Sequence, residues 1–465
     1  MKSLTFGQII SAVDGRPLNS QLNMEAEISS VSIDSRSIEG DSLYIPIIGD
    51  RFDGHLFIED AFRKGAKLAL TQDENLDITD GNLIYVKDTK KALMSLAAYY
   101  RSLFNIPVVA VTGSVGKTST KDLISAVLGA KYKVHKTQGN FNNEIGLPLT
   151  IFQIKEDHEV VVLEMGMNHF GEIHNLSNIA RPDIAIITNI GDSHIENLGS
   201  REGILQAKAE ILDGMSDEGL IIINGQDDML KKLKANQRII TYGYHEDCDF
   251  YSVNAKTVGV EGIDATLNTP KSAIEVQILA LGMHMVGNAL AATAVAKELG
   301  LTDNEIKAGF KAYKPTEMRM DLQKTANNLH IINDAYNASP DSMKAALDVL
   351  TSIGNASRRI AILGDMFELG EHGESLHRSV GSYIGKGKEI DFLITVGQMS
   401  EFIQKQAIKE GMDVKDTIHF NHQEDLVGNL VDIIRKGDLI LVKASRGMEL
   451  EKTVEELGKV NINES

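Results

Sequence analysis

The sequence predicts an α/β protein with three domains: a small mixed α/β N-terminal domain, a central domain built on a doubly wound, mostly parallel sheet, and a second large α/β domain at the C-terminus. The 465 residues are about three times the length of a typical domain of ~150 residues. Short apolar runs rich in Val and Ile recur along the chain, and stretches with helical spacing separate them. Strands that alternate with helices in this way form parallel sheets through right-handed crossovers.

The first domain is predicted to span residues 1–105. Short apolar runs alternate here with helical stretches, which is typical of a mixed domain. The predicted strands are Ser42–Ile48, Lys67–Leu70 and Leu83–Val86, and the predicted helices are Ile58–Lys64 and Lys91–Leu103.

The central domain is predicted to span residues 106–315. It begins with the continuous apolar run Ile106–Val111, which is too short for a buried helix and rich in Val, as a parallel strand covered on both faces would be. Similar runs follow at Val160–Glu164, Asp183–Ile190 and Leu220–Asn224.

The third domain, residues 316–465, has its own strand set and is predicted to be Rossmann-like. The predicted strands are Leu329–Asn333, Arg359–Leu363, Phe392–Val396, Thr417–Phe420 and Asp438–Val442, with amphipathic helices such as Ser339–Leu350 and Gly373–Ile384 between them. Ligands commonly bind in clefts between such domains.

Composition narrows the class of partner. The formal charge of −18, from 47 basic and 65 acidic side chains, argues against nucleic acid or an anionic membrane surface. No run approaches the ~18 apolar residues of a membrane helix. The single cysteine, Cys248, cannot form an internal disulfide, and no secretory leader is seen at the N-terminus, so we expect a cytoplasmic protein and a structural thiol. We also expect a monomer.

The clearest chemical motif is a phosphate-binding loop. The segment VTGSVGKTST, residues 111–120, follows a predicted buried strand and opens a predicted helix. Gly113 and Gly116 would let the backbone turn, so that consecutive N–H groups of residues 112–119 face the phosphates. Lys117 would neutralise the outer phosphates, and the Thr118 hydroxyl would bind Mg²⁺. Val111 replaces the first glycine of the usual pattern, and a plain tight turn is the alternative. The residues predicted to hold the phosphates are Thr112, Gly113, Ser114, Val115, Gly116, Lys117, Thr118 and Ser119.

Further motifs resemble the Mur ligases, in particular those that add D-alanyl-D-alanine. They are TGSVGKTSTKD, TQGNFNNEIGLPLT (137–150), EMGMNHFGEI (164–173), ITNIGDSHIENLGS (187–200), QAKAEI (206–211), GMHMVGNALAA (282–292), INDAYNASPDSMKAAL (332–347), ILGDMFELG (362–370) and DSRSIEGDSLYIPIIGDRFDGH (34–55). The resemblance covers essentially the whole chain. It implies an ATP-dependent ligase that phosphorylates the carboxylate of a UDP-N-acetylmuramoyl-tripeptide and joins it to D-alanyl-D-alanine through an acyl phosphate.

The resemblance also implies a metal site for Mg²⁺, with two ions expected, near Lys117. Glu164 ends a predicted strand and would be a metal ligand, although a capping carboxylate is the alternative. His194 follows another strand and would bind the second metal, while a lone histidine is more often structural. Lys208 lies on the apolar stripe of its helix, where it could extend its ammonium to water; the resemblance implies instead a carbamylated lysine whose negative charge suits Mg²⁺.

Three residues are implied to contact the nucleotide. Asn288 would read the adenine, with a helix cap or core amide as the alternative. Arg319 would reach ATP from the third domain, unless it is a surface arginine. Asp334 would lie near the ribose, whereas His284 is expected to be local structure.

For the substrates, Ser35 and Arg36 are predicted to hold the UDP end, because Arg can bind a diphosphate through two parallel hydrogen bonds. Asn142 and Asn143 would contact the muramoyl-peptide side, unless they only form a turn. The dipeptide is expected around Asn337, Ser339 and the segment 443–446. Ser339 is also a good helix N-cap, with Pro340 in the first turn.

Three alternatives stay open. A sibling ligase that adds the third amino acid, or a folylpolyglutamate synthetase, would share the ATP machinery, although no Asp-Asn-Pro-Arg tetrapeptide is seen in the third domain. A nucleotide-dependent switch without ligase chemistry would not need Glu164, His194 and Lys208.

Closure of the third domain over ATP is predicted about a hinge near residues 315–318.

Overall fold

The structure is a computed structural model that describes residues 1–460 apart from 19–21, 50–51, 77, 79–80, 326–328, 355 and 388. The described residues form four sheets, and most of the strand pairs in the three larger sheets are parallel. The predicted fold class, an α/β protein of three domains, is confirmed. Residues 50–51 of the motif 34–55 lie outside the described part of the chain.

The N-terminal part contains a two-stranded sheet and a five-stranded sheet. Its elements are β1 (Leu4–Thr5), α1 (Phe6–Val13), β2 (Arg16–Pro17), β3 (Glu27–Ile28), β4 (Ser30–Ser32), β5 (Ser42–Tyr44), α2 (Ile58–Arg63), β6 (Ala66–Thr71), β7 (Leu83–Tyr85) and α3 (Thr89–Ser102). The larger sheet has the order β2-β7-β6-β5-β4, in which only β2 is antiparallel.

The central part contains a ten-stranded sheet. Its elements are β8 (Val108–Thr112), α4 (Lys117–Leu128), β9 (Val134–Lys136), α5 (Gly146–Phe152), β10 (Val160–Glu164), α6 (Glu172–Ala180), β11 (Ile184–Ile187), α7 (Ile195–Leu198), α8 (Arg201–Ala209), β12 (Leu220–Asn224), β13 (Arg238–Gly243), β14 (Phe250–Tyr251), β15 (Lys256–Thr257), β16 (Ile263–Asn268), β17 (Ala273–Ile278), α9 (His284–Glu298) and α10 (Asp303–Ala312). Strands β9-β10-β8-β11-β12-β13-β14 are parallel, and β15, β16 and β17 extend the sheet in antiparallel fashion.

The C-terminal part contains a six-stranded sheet. Its elements are β18 (Asp321–Lys324), β19 (His330–Asn333), α11 (Pro340–Ser352), β20 (Arg358–Gly364), α12 (Gly373–Gly385), β21 (Phe392–Val396), α13 (Glu401–Lys409), β22 (Thr417–Phe420), α14 (Gln423–Ile433), β23 (Asp438–Lys443) and α15 (Glu451–Leu457). The strand order is β18-β19-β23-β20-β21-β22, with only β18 antiparallel.

The central strands β8, β10 and β11 are buried along their whole length, as their unbroken apolar sequence predicts. Helix α3 packs on α1 but also on α5 and α6, so one hydrophobic core joins the N-terminal sheet to one face of the central sheet. The predicted domain boundaries at residues 105 and 315 fall between the sheets and stay predictions.

The parallel register aligns the carboxyl ends of β8, β10 and β11 at one edge of the sheet. The phosphate-loop motif, Glu164 and the segment 188–194 follow these three ends. Ligand-binding groups in α/β sheets lie at this edge, so the fold itself gathers the predicted site. Within the described part of the chain, we find no helix that is both long and apolar enough to cross a membrane.

Candidate active site

The phosphate-loop motif forms a compact turn between β8 and α4. Gly113 and Gly116 have φ values of 149° and 85°, and Gly116 is the N-cap of α4. Because glycine has no side chain to accept their hydrogen bonds, the N–H groups of the first helical turn are free to face an anion. The Lys117 ammonium donates to the Gly113 carbonyl at 2.7 Å, and burial lowers the pKa of Lys117. The motif therefore has the geometry of a phosphate cradle.

The loop is held from behind by the segment that follows β11. The Val115 N–H donates to Asn189 Oδ1 at 2.9 Å, and Thr188 Oγ1 donates to the Val115 carbonyl at 2.6 Å. A Cβ atom at position 113 would lie 1.9 Å from Thr188 Oγ1, so Gly113 allows this close approach. The predicted loop is thus rigid before any ligand binds.

Glu164 is buried at the end of β10, with 1% of its surface exposed. Its Oε1 accepts a hydrogen bond from Asn142 Nδ2 at 2.8 Å, whereas Oε2 has no hydrogen-bond partner among the described residues. The nearest cation to Oε2 in an ion pair is Lys121 Nζ at 3.9 Å. A buried carboxylate oxygen that accepts no hydrogen bond is available to coordinate a metal ion.

Lys208 is equally buried, at the C-terminal end of α8. With 1% of its surface exposed, the side chain is enclosed by protein and does not extend along the surface, as one alternative required. Burial lowers the pKa of Lys208 well below its usual range, and the positive charge of Lys117 lowers it further. Both effects favour the neutral, nucleophilic form of the amine.

His194 adopts a left-handed backbone with φ of 65°, and Nδ1 lies 3.3 Å from Glu368 Oε2 of the third domain. The histidine lowers the pKa of this glutamate. Among the described residues, no three His, Cys, Asp or Glu side chains converge as a ready metal cage. Glu164, His194, the Thr118 hydroxyl and a modified Lys208 would have to share the ions with a phosphate ligand.

The third domain brings a second set of groups. Arg319 stacks on Tyr336, with the guanidinium 4.1 Å from the ring centroid. Asp334 pairs with the buried ammonium of Lys443 at 2.5 Å, and this ammonium also donates to the Asn337 carbonyl at 2.8 Å. Lys443 thus joins the predicted ribose residue to the predicted dipeptide segment.

Ser339 is the N-cap of α11 in a capping box, with Pro340 in the first turn. Its predicted structural role is therefore present in the fold. The side chain also lines the cleft described next, so a contact with substrate stays a prediction.

A cleft of about 910 Å³ lies between the central and third domains. The predicted site residues that line it are Ser114, Val115, Gly116, Lys117, Thr118, Ser119, Asn142, Asn143, Glu164, His194, Asn288, Arg319, Asp334, Asn337 and Ser339. Three other predicted residues are buried and do not line the cleft: Thr112, Gly113 and Lys208. His284, expected to be only local structure, also faces the cleft.

A second cleft of about 910 Å³ lies between the N-terminal and central parts, and Asn140 and Asn143 line both clefts. Asp34 and Ser37 line this second cleft. Ser35 and Arg36, which were predicted to hold the UDP end, do not line it. Ser35 is buried, and Arg36 is exposed and paired with Asp34, with Nη2 2.8 Å from Oδ2.

Several lining residues were not predicted. Tyr242 lies in β13 and Tyr244 follows it; this strand is half exposed and carries no long apolar run. Asp341 and Glu368 lie inside motifs quoted above, but nothing in their spacing indicates that they meet the central domain. For these two residues the only usable signal was their place beside predicted third-domain site residues.

Three family models match the chain. They are described as the Mur ligase family catalytic domain over residues 27–101, the Mur ligase middle domain over 111–296, and the Mur ligase glutamate ligase domain over 318–446. The UDP-N-acetylmuramoyl-tripeptide–D-alanyl-D-alanine ligase of Bacillus subtilis (strain 168) is 42% identical over 461 residues, covering 97% of this chain and 98% of that protein.

Solved structures are similar over the same length. A crystal structure of MurF from Acinetobacter baumannii is 29% identical with a TM-score of 0.91, and the match covers 99% of each chain. MurF ligase from Thermotoga maritima in complex with ADP is 27% identical with a TM-score of 0.82, covering 92% of this chain and 97% of that one.

Proposed function

Because this chain belongs to the Mur ligase family, we propose that it joins D-alanyl-D-alanine to a UDP-N-acetylmuramoyl-tripeptide at the expense of ATP. The observation that carries this proposal is that Asn140 and Asn143 line both clefts, so the two sites adjoin at these residues. A long substrate held beside the N-terminal domain would extend past these residues and present its terminal carboxylate at the phosphate loop.

Of the predicted residues 112–119, Ser114 and Val115 donate their N–H groups to Asn189, so ATP would place its phosphates first on the N–H groups of residues 116–119. Lys117 would leave the Gly113 carbonyl to neutralise them. Asn288 would read the adenine, and its amide borders the phosphate loop: a Cβ at position 116 would be 3.6 Å from Asn288 Oδ1. Arg319 and Asp334 would close the site from the third domain.

Mg²⁺ fits the residues present, because the buried Glu164 Oε2 has no other hydrogen-bond donor among the described residues and Thr118 lines the same cleft. Glu164, Thr118, His194 and carbamylated Lys208 would hold the metal, with two ions expected. When bound, Mg²⁺ offsets the negative charge of the transferring phosphoryl group.

Carbamylation of Lys208 is supported by its burial and its lowered pKa. The neutral amine nitrogen attacks the carbon of CO₂, a N–C bond forms, and a proton leaves, so that the side chain ends in a carbamate anion. Carbon NMR of the protein in ¹³C-bicarbonate should show one carbamate resonance, and Lys208→Arg should lack it. A resonance that persists in Lys208→Arg, or none in the parent, would contradict the assignment.

The proposed reaction has two steps. A carboxylate oxygen of the tripeptide attacks the terminal phosphorus of ATP, the P–O bond to ADP breaks, and an acyl phosphate forms. The dipeptide amine then attacks the carbonyl carbon, loses a proton, and expels phosphate to leave the amide. Lys117 and Arg319 would offset the charge that develops on the phosphoryl group and on the tetrahedral oxygen.

The substrate ends are proposals of the same kind. Arg36 would have to leave Asp34 to hold the UDP diphosphate, and Ser35 would support that turn. Asn337, Ser339 and the segment 443–446 would receive the dipeptide, because they line the third-domain wall of the main cleft. We expect the cytoplasm as the location and a monomer as the working unit.

The deciding experiment measures ADP release and product mass with UDP-muramoyl-tripeptide and four acceptors: D-alanyl-D-alanine, meso-diaminopimelate, L-lysine and glutamate. Only the dipeptide should give product, and Lys117→Ala should lower kcat by at least about 100-fold. Lys133→Ala, which removes an exposed ion pair, is the matched control.

Activity with another acceptor would favour a sibling ligase or a folylpolyglutamate synthetase. Phosphate release that ignores every acceptor would favour a nucleotide switch.

A further inference from the structure

Directly after the phosphate-loop motif, helix α4 contains a charged pair that the proposed reaction does not use. Lys121 and Asp122 lie one turn beyond Lys117 on α4, and both are buried, with 2% and 5% of their surfaces exposed. Buried charges are retained at a cost in solvation, so their partners indicate what they do.

Asp122 faces the linker between the central and third domains. Its Oδ2 accepts a hydrogen bond from the Thr316 hydroxyl, while Oδ1 accepts from Lys136 Nζ at 2.7 Å and lies 3.2 Å from Lys121 Nζ. Despite burial, which would raise it, the two lysines lower the pKa of Asp122. The carboxylate is therefore a charged, fixed anchor for residue 316.

Lys121 connects this anchor to the catalytic edge of the sheet. Its ammonium donates to the Thr137 carbonyl at 2.9 Å and lies 3.9 Å from Glu164 Oε2. Thr137 Oγ1 in turn accepts the Glu164 N–H at 3.0 Å. The linker anchor and the proposed metal ligand thus share one lysine.

The linker is held on its other side by the third domain. The Tyr336 N–H donates to the Met318 carbonyl at 3.3 Å, and the Met320 N–H donates to Asp334 Oδ1 at 3.2 Å. Met318 and Met320 have φ values of 61° and 50°, a left-handed backbone that is strained for a methionine. Met318 and Met320 are therefore tied to the third domain, whereas the Thr316 hydroxyl is tied to the central one.

We infer that Asp122 is a positioning residue: it pins Thr316 to the phosphate-loop helix, so that the third domain pivots about the turn from Thr316 to Arg319 and delivers Arg319 to the nucleotide in one orientation. The inference rests on the proposed function for the role of Arg319. The predicted hinge at residues 315–318 then contains a short pivot: a turn over the exposed Glu317, closed by the Arg319 N–H, which donates to the Thr316 carbonyl at 3.1 Å. A pivot this short limits the paths that the domain can take.

Thr316→Val tests the anchor, since it removes one hydroxyl and keeps the side-chain shape. Thr351→Val is the matched control, because the Thr351 hydroxyl donates to the Leu347 carbonyl within α11 and touches no other domain. We expect Thr316→Val to lower kcat about 10-fold with KM for ATP changed by less than about twofold, because orientation and not affinity is lost. Both variants should have similar Tm values, which a merely structural role of Thr316 would not predict.

Small-angle scattering of the same proteins with ADP and Mg²⁺ gives a readout that does not depend on ligase activity. The parent and Thr351→Val should show one compact arrangement, and Thr316→Val a broader distribution with a larger radius of gyration. A kcat and a scattering profile of Thr316→Val equal to those of Thr351→Val would overturn the inference. If the parent forms no dipeptide product, the proposed function fails, and the scattering comparison still decides whether Thr316 is an anchor.

Discussion

At the scale of single residues, His377 makes the third domain sensitive to acid. Its ring is fully buried, Nδ1 donates to the Gly373 carbonyl at 2.7 Å, and Nε2 accepts the Met366 N–H at 3.0 Å. Burial lowers the pKa of His377 below 6.5, against a smaller opposite effect of the Gly373 carbonyl. If Nε2 bound a proton, its N–H would point at the Met366 N–H, and the hydrogen bond between the two groups would be lost.

Since the unfolded chain binds this proton more readily, the contribution of His377 to stability is complete above about pH 6.5 and falls as the pH drops below it. We expect the Tm of the parent to fall by several degrees between pH 7.5 and 5.5. His377→Gln, which can make both hydrogen bonds without titrating, should show a smaller fall. An equal fall in both proteins would assign the acid sensitivity to other groups.

Some residues of the candidate site could be predicted from the sequence, and others could not. Lys117 and Glu164 could be placed at the cleft because one follows a glycine turn and the other a strand end whose place in an α/β sheet is fixed. Asn288, inside α9, was expected only from the family resemblance. Glu368 and Asp341 were not, because they meet the central domain only through the relative placement of two domains. Spacing within one segment carries no information on that placement.

At the scale of elements, the Ser339 cap of α11 has two proposed roles that a pair of substitutions separates. Its side chain accepts the Ser342 N–H, as Ser and Asp do at helix N-termini. Ser339→Ala should lower the free energy of unfolding by about 1 kcal/mol, and Ser339→Asp should restore it. Urea unfolding measures this loss.

KM for D-alanyl-D-alanine measures the second role. If both variants raise it, Ser339 also contacts the dipeptide; if Ser339→Asp restores stability and KM is unchanged in both, its role is the cap alone.

The strands predicted from sequence are those with long apolar runs. Val160–Glu164, Leu220–Asn224, Phe392–Val396 and Thr417–Phe420 have the predicted bounds. The antiparallel extension β15–β17 was not predicted, because its strands alternate exposed and buried residues and lie at the sheet edge. The predicted strand Ser42–Ile48 ends at Tyr44, since Ile48 turns away to pair with Asp53.

At the scale of the whole molecule, the contact between the central and third domains brings two carboxylates together. Asp341, in the first turn of α11, lies beside Gly191, where a Cβ would be 2.8 Å from Asp341 Oδ2. Loss of solvation and the negative charge of Asp192 raise the pKa of Asp341, and the charges of Lys344 and Arg201 lower it by less. The Asp341 carboxylate therefore binds a proton more readily in this arrangement of the two domains than it would after the domains separate.

This linkage predicts that ligand-free protein becomes more compact as the pH falls, because protonation of Asp341 removes the repulsion from Asp192. Asp341→Asn should already be compact at pH 7.5 and should change little with pH. Asp432→Asn, which removes the same charge from an exposed face of α14, should behave like the parent. Small-angle scattering at pH 7.5 and 5.5 measures the radius of gyration of the three proteins. If Asp341→Asn matched the parent at both pH values, repulsion at this contact would not control closure, and the proposed anchor at Asp122 would act on a domain whose ligand-free position is set elsewhere.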